Sequence, residues 1–589
     1  MVKPAMAQLN QAEVVPEERA RQKEQERRDN SKPRRWVVMA SGAGALLLCL
    51  ITYLLHLDRT VGMYVDDAWY VLLAKALATG QSYTLINSPS QGILPLYPPA
   101  FPWLLSLIYR LAPQFPENVW LLKSISIAAM LAVGITAYFY FVRDRKLPPC
   151  VALGICVATV ISPPLIFFAT STVMSECVFT LVQLLTIVVI ERCVHAGKRV
   201  RAWHYALLGS ALASFAFLTR SIAVVLIAGA FVYLLKERLF RAALIFAAGV
   251  VLFVGPWTLY ARLHAPTAEQ RMEHGSYIVQ GYTTQFWQKE AAEASSGIIS
   301  VKELPGRIGM NMVRVLRSEV GAVFVGPLTQ FLKQLNARGG EGFSFILSML
   351  AIAGFISVAR ERVTLAEIVV PLSLMIIVAW PWPPGRFVLP LSPFIIFYIL
   401  MGMQVVQRLY QRLRPASNPR AQWAAVVVVI WCVIAINTLS NGRQILSLYG
   451  PPSERPGRIR SFDETEAMFK WIRETIPKEE VIATFNPALV HLYTGHKTIF
   501  PEEPTGDWNN WTHLGVRYVV FTPWHREPDF SPTDSSYNVV YQSRSNRNLR
   551  VVELDMKRVE NVRRTNAHSS DARRQPTENR AVTETKKVQ

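Results

Sequence analysis

The feature that most constrains this chain is a succession of apolar runs, most of them close to the 20 or so residues that a helix needs to cross a bilayer. They lie at 36–55, 120–142, 148–168, 173–191, 203–219, 221–235, 240–261, 343–359, 364–380, 387–406 and 422–440, about eleven candidate spans. Backbone polar groups in hydrocarbon must be satisfied within the segment, so such runs predict a polytopic α-helical membrane protein. The 589 residues are 51% hydrophobic with a mean hydropathy of +0.22, too apolar for a soluble chain of this length. The first run follows a charged arm, 1–35, without a small-residue cleavage pattern, and reads as an uncleaved span. The stretch 203–235 is the least clearly divided, with two spans packed into little length around Arg220.

A net charge of +20 raises nucleic acid as a partner. The basic residues form no single face, however, and nucleic acid is set aside. They cluster between apolar runs: Arg143-Asp144-Arg145-Lys146, Lys198-Arg199 with Arg201, Lys236 with Arg238, Arg360 with Arg362, then Arg408, Arg412, Arg414 and Arg420. This alternation follows the positive-inside rule. It predicts an integral, multi-pass protein of the cytoplasmic (inner) membrane with its N-terminus inside and its C-terminus outside. The membrane domain is expected over 36–440, with large outer loops at 57–119 and 263–341. Within the first, 68–78 reads as an amphipathic run and 103–112 as an interfacial segment too short to span.

After Ser440 the composition becomes that of a soluble domain. Residues 441–556 read as a small α/β domain on the outer face. Its helix starts at Asp463-Glu464-Thr465-Glu466 and stops before Pro477, a short helix lies at 487–493, and strands lie at 481–485, 516–522, 539–542 and 549–554. The arm and the tail, 557–589, read as disordered. The six cysteines lie in or beside apolar runs with no CxxC pair, which argues against a disulfide framework or a cysteine zinc site.

Chemistry is expected at the outer face. Asp66 and Asp67, in Tyr64-Val65-Asp66-Asp67-Ala68-Trp69-Tyr70, follow closely on the first span. Carboxylates beside a bilayer are costly unless paired, hydrated or used; a solvated turn or a helix N-cap is the plain alternative. Arg220 and Arg386 sit in short outer loops, against the charge bias. Each is either an arginine snorkelling to the headgroups or an anion site, since the guanidinium fork suits phosphate. Glu176 opens the fourth span, as a pocket acid or as a charge favoured at a helix N-terminus. No phosphate-binding glycine loop, HExxH or GxSxG occurs. His491 and His496 read as a surface pair rather than metal ligands. The aromatic residues of the spans read as core and interface belts. A divalent metal is possible in such a site but nothing in the sequence indicates one, and no cofactor is implied.

One long span followed by the outer motif D-D-A-W-Y-V-L-L-A-K-A-L resembles the C-fold (GT-C) glycosyltransferases, in the branch of protein O-mannosyltransferases and the lipid A aminoarabinose transferase. Leu96-Tyr97-Pro98-Pro99, Ser175-Glu176, Leu218-Thr219-Arg220 and Arg386-Phe387-Val388-Leu389-Pro390 resemble that family's patterns in the same order, and the outer α/β domain fits too. The resemblance covers about residues 36–555. It implies an inverting transfer of a sugar from a polyprenyl-phosphate donor to an extracytoplasmic glycan, lipid or protein. Asp66 would be the general base, with Asp67, Tyr97, Glu176, Arg220 and Arg386 binding substrates. The aminoarabinose branch has a lysine where this chain has Tyr97-Pro98-Pro99, which leaves more of the phosphate contact to arginine. The chemistry of the compartment agrees. Nucleotide sugars are absent outside the cytoplasmic membrane, so an outward-facing transferase needs a lipid-borne donor. The competing reading is a transporter or flippase, which should show internal repeats and charged or broken helices at mid-membrane; no clear repeat is visible.

Overall fold

The computed structural model describes residues 40–197, 201–267, 270–271, 277–290, 293–413, 423–500, 514–523 and 537–555. The expected arm and tail, and basic positions Lys198, Arg199, Arg414 and Arg420, lie outside the described residues. In chain order the first helices are α1 (Ala40–His56), α2 (Asp66–Ala78), α3 (Ala100–Leu111), α4 (Val119–Asp144), α5 (Pro149–Val160), α6 (Pro163–Thr170) and α7 (Glu176–Ala196). Next come α8 (Arg201–Thr219), α9 (Ser221–Lys236), α10 (Phe240–Leu263), α11 (Tyr282–Trp287), α12 (Leu304–Arg314) and α13 (Val320–Leu335). The last are α14 (Ala337–Glu361), α15 (Leu365–Ala379), α16 (Gly385–Arg412), α17 (Ala424–Tyr449), α18 (Gly457–Thr475) and α19 (Pro487–Thr494).

Every expected apolar run is helical, but not every one is a full span. Among the described residues, seven helices (α4, α7, α8, α10, α14, α16 and α17) are long and apolar enough to cross a membrane. The pair α5 and α6 makes an eighth, bent by 50°; Pro163 and Pro164 open α6 and lack the N–H that would continue the helix. Over the described residues the other three, α1, α9 and α15, fall in the class of 10–17 residues. The division between α8 and α9 is sharp, because Arg220 is extended at φ −150°, ψ 125° and ends the helix.

Two boundaries move. α17 continues to Tyr449, beyond the expected end at Ser440, and α18 begins at Gly457, ahead of Asp463. The second large loop also holds an antiparallel hairpin of β1 (Gln288–Glu290) and β2 (Glu293–Ile298). The α/β domain carries β3 (Val481–Thr484), β4 (Thr498–Ile499), β5 (Val516–Phe521), β6 (Tyr537–Gln542) and β7 (Arg550–Leu554) in the order β4-β3-β5-β7-β6. β3 runs parallel to β4 and β5; β7 is antiparallel to β5 and β6.

The α/β domain is docked on the first loop, which sets the position of α2. The Thr498 N–H donates to the Asn87 carbonyl (2.8 Å), and Asn87 Nδ2 returns a bond to the Thr498 carbonyl (3.1 Å). Asn486 Nδ2 donates to the Gly62 carbonyl (2.7 Å). Gly62 has φ +90°, and a Cβ there would stand 2.6 Å from a methyl of Leu489, so both conformation and space demand glycine. Beneath this junction lies a buried cluster. Asp58 takes Lys123 Nζ at 3.0 Å, the hydroxyls of Thr60 and Ser171 at 2.6 and 2.7 Å, and Arg458 of α18 at 3.5 Å. Burial pushes the Asp58 carboxyl up, but Lys123 and the two hydroxyls outweigh it and hold the group below its usual range.

At the other end of the bundle, Arg145 is not a free loop charge. It lies 3.1 Å from Glu367 and 3.8 Å from Glu191, and it donates to Thr364 Oγ1 at 2.8 Å, joining the end of α4 to α7 and α15. Tyr398 of α16 completes the cluster with a 2.8 Å bond to Glu367.

Candidate active site

The strand of chain entering α2 is bent at Val65, which holds φ +60° and ψ −51°. A β-branched residue in the left-handed region is a strained arrangement, of a kind that collects at functional sites and costs on the order of 1–3 kcal/mol. It places two carboxylates in the first turn of α2, where negative charge meets the positive end of the helix. α2 is buried almost all round rather than amphipathic as expected, and it packs against α3 and α19. Its acids are therefore fixed by surroundings on every side.

The two acids diverge at once. Asp67 is fully buried and turns inward, accepting from the Gly62 N–H (2.8 Å) and the Ala68 N–H (3.1 Å). Burial raises its carboxyl to about 6. It does not line the cavity described next; it holds the Gly62 turn. Asp66 faces that cavity. Tyr97 Oη donates to Asp66 Oδ1 at 2.5 Å, and Arg386 Nη1 lies 2.6 Å from Oδ2. The carboxylate is thus held by one phenol and one guanidinium, and is neither a helix cap nor a solvated turn.

The cavity has a volume of about 470 Å³. Asp66, Tyr97, Arg220 and Arg386 supply charge and hydroxyl to its wall, and Phe217, Ile222, Val224, Ile376 and Ile377 make much of the rest apolar. Arg220 is paired in turn. Its Nη1 lies 2.7 Å from Glu176 Oε1 and donates to Ser175 Oγ at 3.1 Å. The contact with Glu176 is a close ion pair without hydrogen-bond alignment, and both oxygens of this buried carboxylate lack an aligned donor. Tyr70 Oη lies 3.3 Å from the same Ser175 hydroxyl, and its ring is 5.0 Å from that of Tyr97. Burial pushes the Tyr70 phenol up. Both arginines turn to carboxylates: two acid–arginine pairs, Asp66–Arg386 and Glu176–Arg220, stand beside one cavity. Glu176 opens α7 and pairs with Arg220, but does not itself line the cavity.

Sequence reasoning passed over several cavity residues. Trp380, at the end of an expected span, and Trp382 line the site, and the Arg386 guanidinium lies 5.7 Å from the Trp382 ring centre and 4.9 Å from that of Phe387. Tyr282 and Gln285 reach it from α11, on the second large loop, whose Ile278 carbonyl accepts from the Leu96 N–H at 2.6 Å. The run Trp380-Pro381-Trp382-Pro383-Pro384-Gly385-Arg386 carried the signal: aromatics and prolines in place of a helix, directly before the arginine. His491 and His496 are buried, not a surface pair. His491 Nδ1 lies 2.8 Å from the His496 carbonyl, and His496 Nε2 lies 3.2 Å from the Ile476 carbonyl. Among the described residues no three His, Cys, Asp or Glu side chains converge on a metal position, and no step below is routed through one.

No protein-family model matches the chain, and no curated protein sequence matches it. Solved structures do. The structure of ArnT from Cupriavidus metallidurans bound to undecaprenyl phosphate matches with a TM-score of 0.54 at 14% identity, over 88% of this chain and 98% of that one. Its apo form matches at 0.53 and 13%, over 89% and 98%. The oligosaccharyltransferase of Archaeoglobus fulgidus, solved with zinc and sulfate, matches at 0.51 and 12%, over 81% and 67%. The chain has the GT-C fold.

Proposed function

We propose that this GT-C chain is a membrane glycosyltransferase that moves a hexosyl or pentosyl group from a polyprenyl-phosphate donor to an extracytoplasmic acceptor, with inversion. The observation that carries the reading is the Asp66 carboxylate, held in the cavity wall between Tyr97 and Arg386 with a second arginine, Arg220, on the same cavity. An apolar chamber with one acid and two cations suits a lipid chain that ends in a phosphate-linked sugar. The Cupriavidus protein of the same fold was solved with undecaprenyl phosphate bound, which supports the lipid class.

In the proposed step Asp66 takes the proton of an acceptor hydroxyl or amine. The acceptor atom attacks the anomeric carbon from the face opposite the phosphate, and the bond from that carbon to the phosphate oxygen breaks. The electron pair leaves on the lipid phosphate, where fixed positive charge stabilises it. Arg386 carries a second consequence. Without donor its guanidinium neutralises Asp66; a donor phosphate is a stronger partner for that fork. Donor arrival would draw Arg386 toward phosphate and release the carboxylate to act as base, so that base and leaving-group charge are readied together.

Binding of polyprenyl phosphate to purified protein tests the donor site. Arg386→Ala should weaken it about tenfold or more, the worth of a charge-assisted hydrogen bond, while Arg386→Lys should lose less. Equal affinity in wild type and Arg386→Ala would remove Arg386 from the donor site.

A further inference from the structure

A second cavity, of about 570 Å³, lies at the far end of α2 from Asp66. There the last turn of α2 meets the end of α3, the loop leading to α4, and α19 of the α/β domain. Lys75, Tyr109, Gln114, Phe115, Glu117 and Leu492 line it. Lys75 is about two and a half turns beyond Asp66 and so projects from the opposite side of the helix, which separates this cavity from the candidate active site.

Buried and half-buried cations elsewhere on this side of the molecule are paired: Lys123 and Arg458 with Asp58, Arg220 with Glu176, Arg386 with Asp66. The half-buried Lys75 breaks that pattern. Among the described residues its ammonium has no hydrogen-bond or ion-pair partner, and neither has the Glu117 carboxylate or the Tyr109 hydroxyl in the same cavity. Burial lowers the proton affinity of Lys75 and raises the Tyr109 phenol to about 12, costs that no neighbouring protein group offsets. The cavity thus presents one cation, one anion and one hydroxyl, over a floor that includes Phe115 and Leu492. The helices before and after its loop, α3 and α4, carry exposed apolar side chains: Leu111 is 83% and Trp120 57% accessible, and Trp103 of α3 is 50%. Tryptophans in such positions mark the level of the lipid headgroups.

We propose that this cavity binds the headgroup of a membrane phospholipid that carries both a phosphate and an amine. The phosphate is held by Lys75 and Tyr109, the amine by Glu117, and the glycerol region lies against Phe115 and Leu492. The apolar flanks give the acyl chains a path into the bilayer, which free phosphate would not need. Bound there, the lipid braces the end of α2 against α19, two elements whose junction sets the position of Asp66.

Lipid-stripped protein in detergent, titrated with phosphatidylethanolamine, phosphatidylglycerol or inorganic phosphate and read by native mass spectrometry, tests this. Wild type should bind one phosphatidylethanolamine tightly and phosphatidylglycerol about tenfold less tightly. Lys75→Met should weaken both lipids about tenfold, Lys75→Arg should restore them, and Glu117→Gln should abolish the preference between them. Equal lipid binding by wild type and Lys75→Met, with both proteins folded, would overturn the proposal. So would displacement of the lipid by inorganic phosphate at equal concentration. Polyprenyl phosphate binding at Arg386 is a separate measurement, so failure here would leave the transferase reading untouched.

Discussion

Asp66 and Asp67 are chemically alike and adjacent, yet their surroundings give them opposite tasks. Burial raises the Asp67 carboxyl to about 6, against about 3.9 in an unfolded chain. Between those values the folded protein keeps a proton that the unfolded chain has lost. That contribution is fully present below about pH 4 and disappears as pH rises through about 6. Burial lowers His491 to about 4, which works the other way: stability is lost as pH falls from about 6.5. Asp67→Asn removes the first trend alone. In thermal unfolding between about pH 4.5 and 7.5, wild type should lose stability relative to Asp67→Asn as pH rises. A difference that stayed flat across that range would contradict the assignment. Gly62→Ala probes the same turn: the new methyl meets Leu489 at a positive φ. It should cost on the order of 1–3 kcal/mol, read as a lower unfolding midpoint.

Among the elements, those with a clear period or length were legible and those made by tertiary contact were not. Each apolar run proved helical over its described residues, while α13 (Val320–Leu335) lies in what read as an outer loop; Val516–Phe521 and Pro487–Thr494 of the α/β domain fall within a residue of expectation. Hydropathy did not record the bend at Pro163-Pro164 inside one expected span, nor that α1, α9 and α15 are shorter than a full span over their described residues. α2 was misread as amphipathic because its polar residues are buried by partners distant in sequence. Asp66, Tyr97, Glu176, Arg220 and Arg386 were visible as polar residues in apolar surroundings; what stayed hidden was their pairing. Asp66 and Arg386 are 320 residues apart, and no local pattern encodes such a contact. The Asp58 cluster escaped notice for the same reason, since Lys123 looks like an ordinary charge near a helix start. Lys123→Met would leave Asp58 buried without its nearest cation, an imbalance worth about 3–5 kcal/mol. Unfolding of the purified protein in detergent should show that loss, and an unchanged midpoint would mean that Arg458 and the hydroxyls suffice.

At the scale of the whole molecule, the GT-C fold unites a helical bundle, a strained turn carrying the acid and a small α/β domain that fastens the turn in place. Orientation is the link between this architecture and the chemistry. The loop charges argue for Lys146 inside and the α/β domain outside. A reporter fused at Lys146 should be cytoplasmic and one fused after Asp555 should be external. The reverse at either site would expose Asp66 to nucleotide sugars and remove the need for a lipid donor. The central claim, that Asp66 is the base, is tested most directly by turnover. With purified, folded Asp66→Asn and a polyprenyl-phosphate sugar, transfer should fall about 10²–10⁴-fold. Donor affinity should hold or tighten, because Arg386 is freed from its ion pair. Turnover close to that of wild type would contradict the account, leaving Asp66 as a structural partner of Arg386 and the reaction without its base.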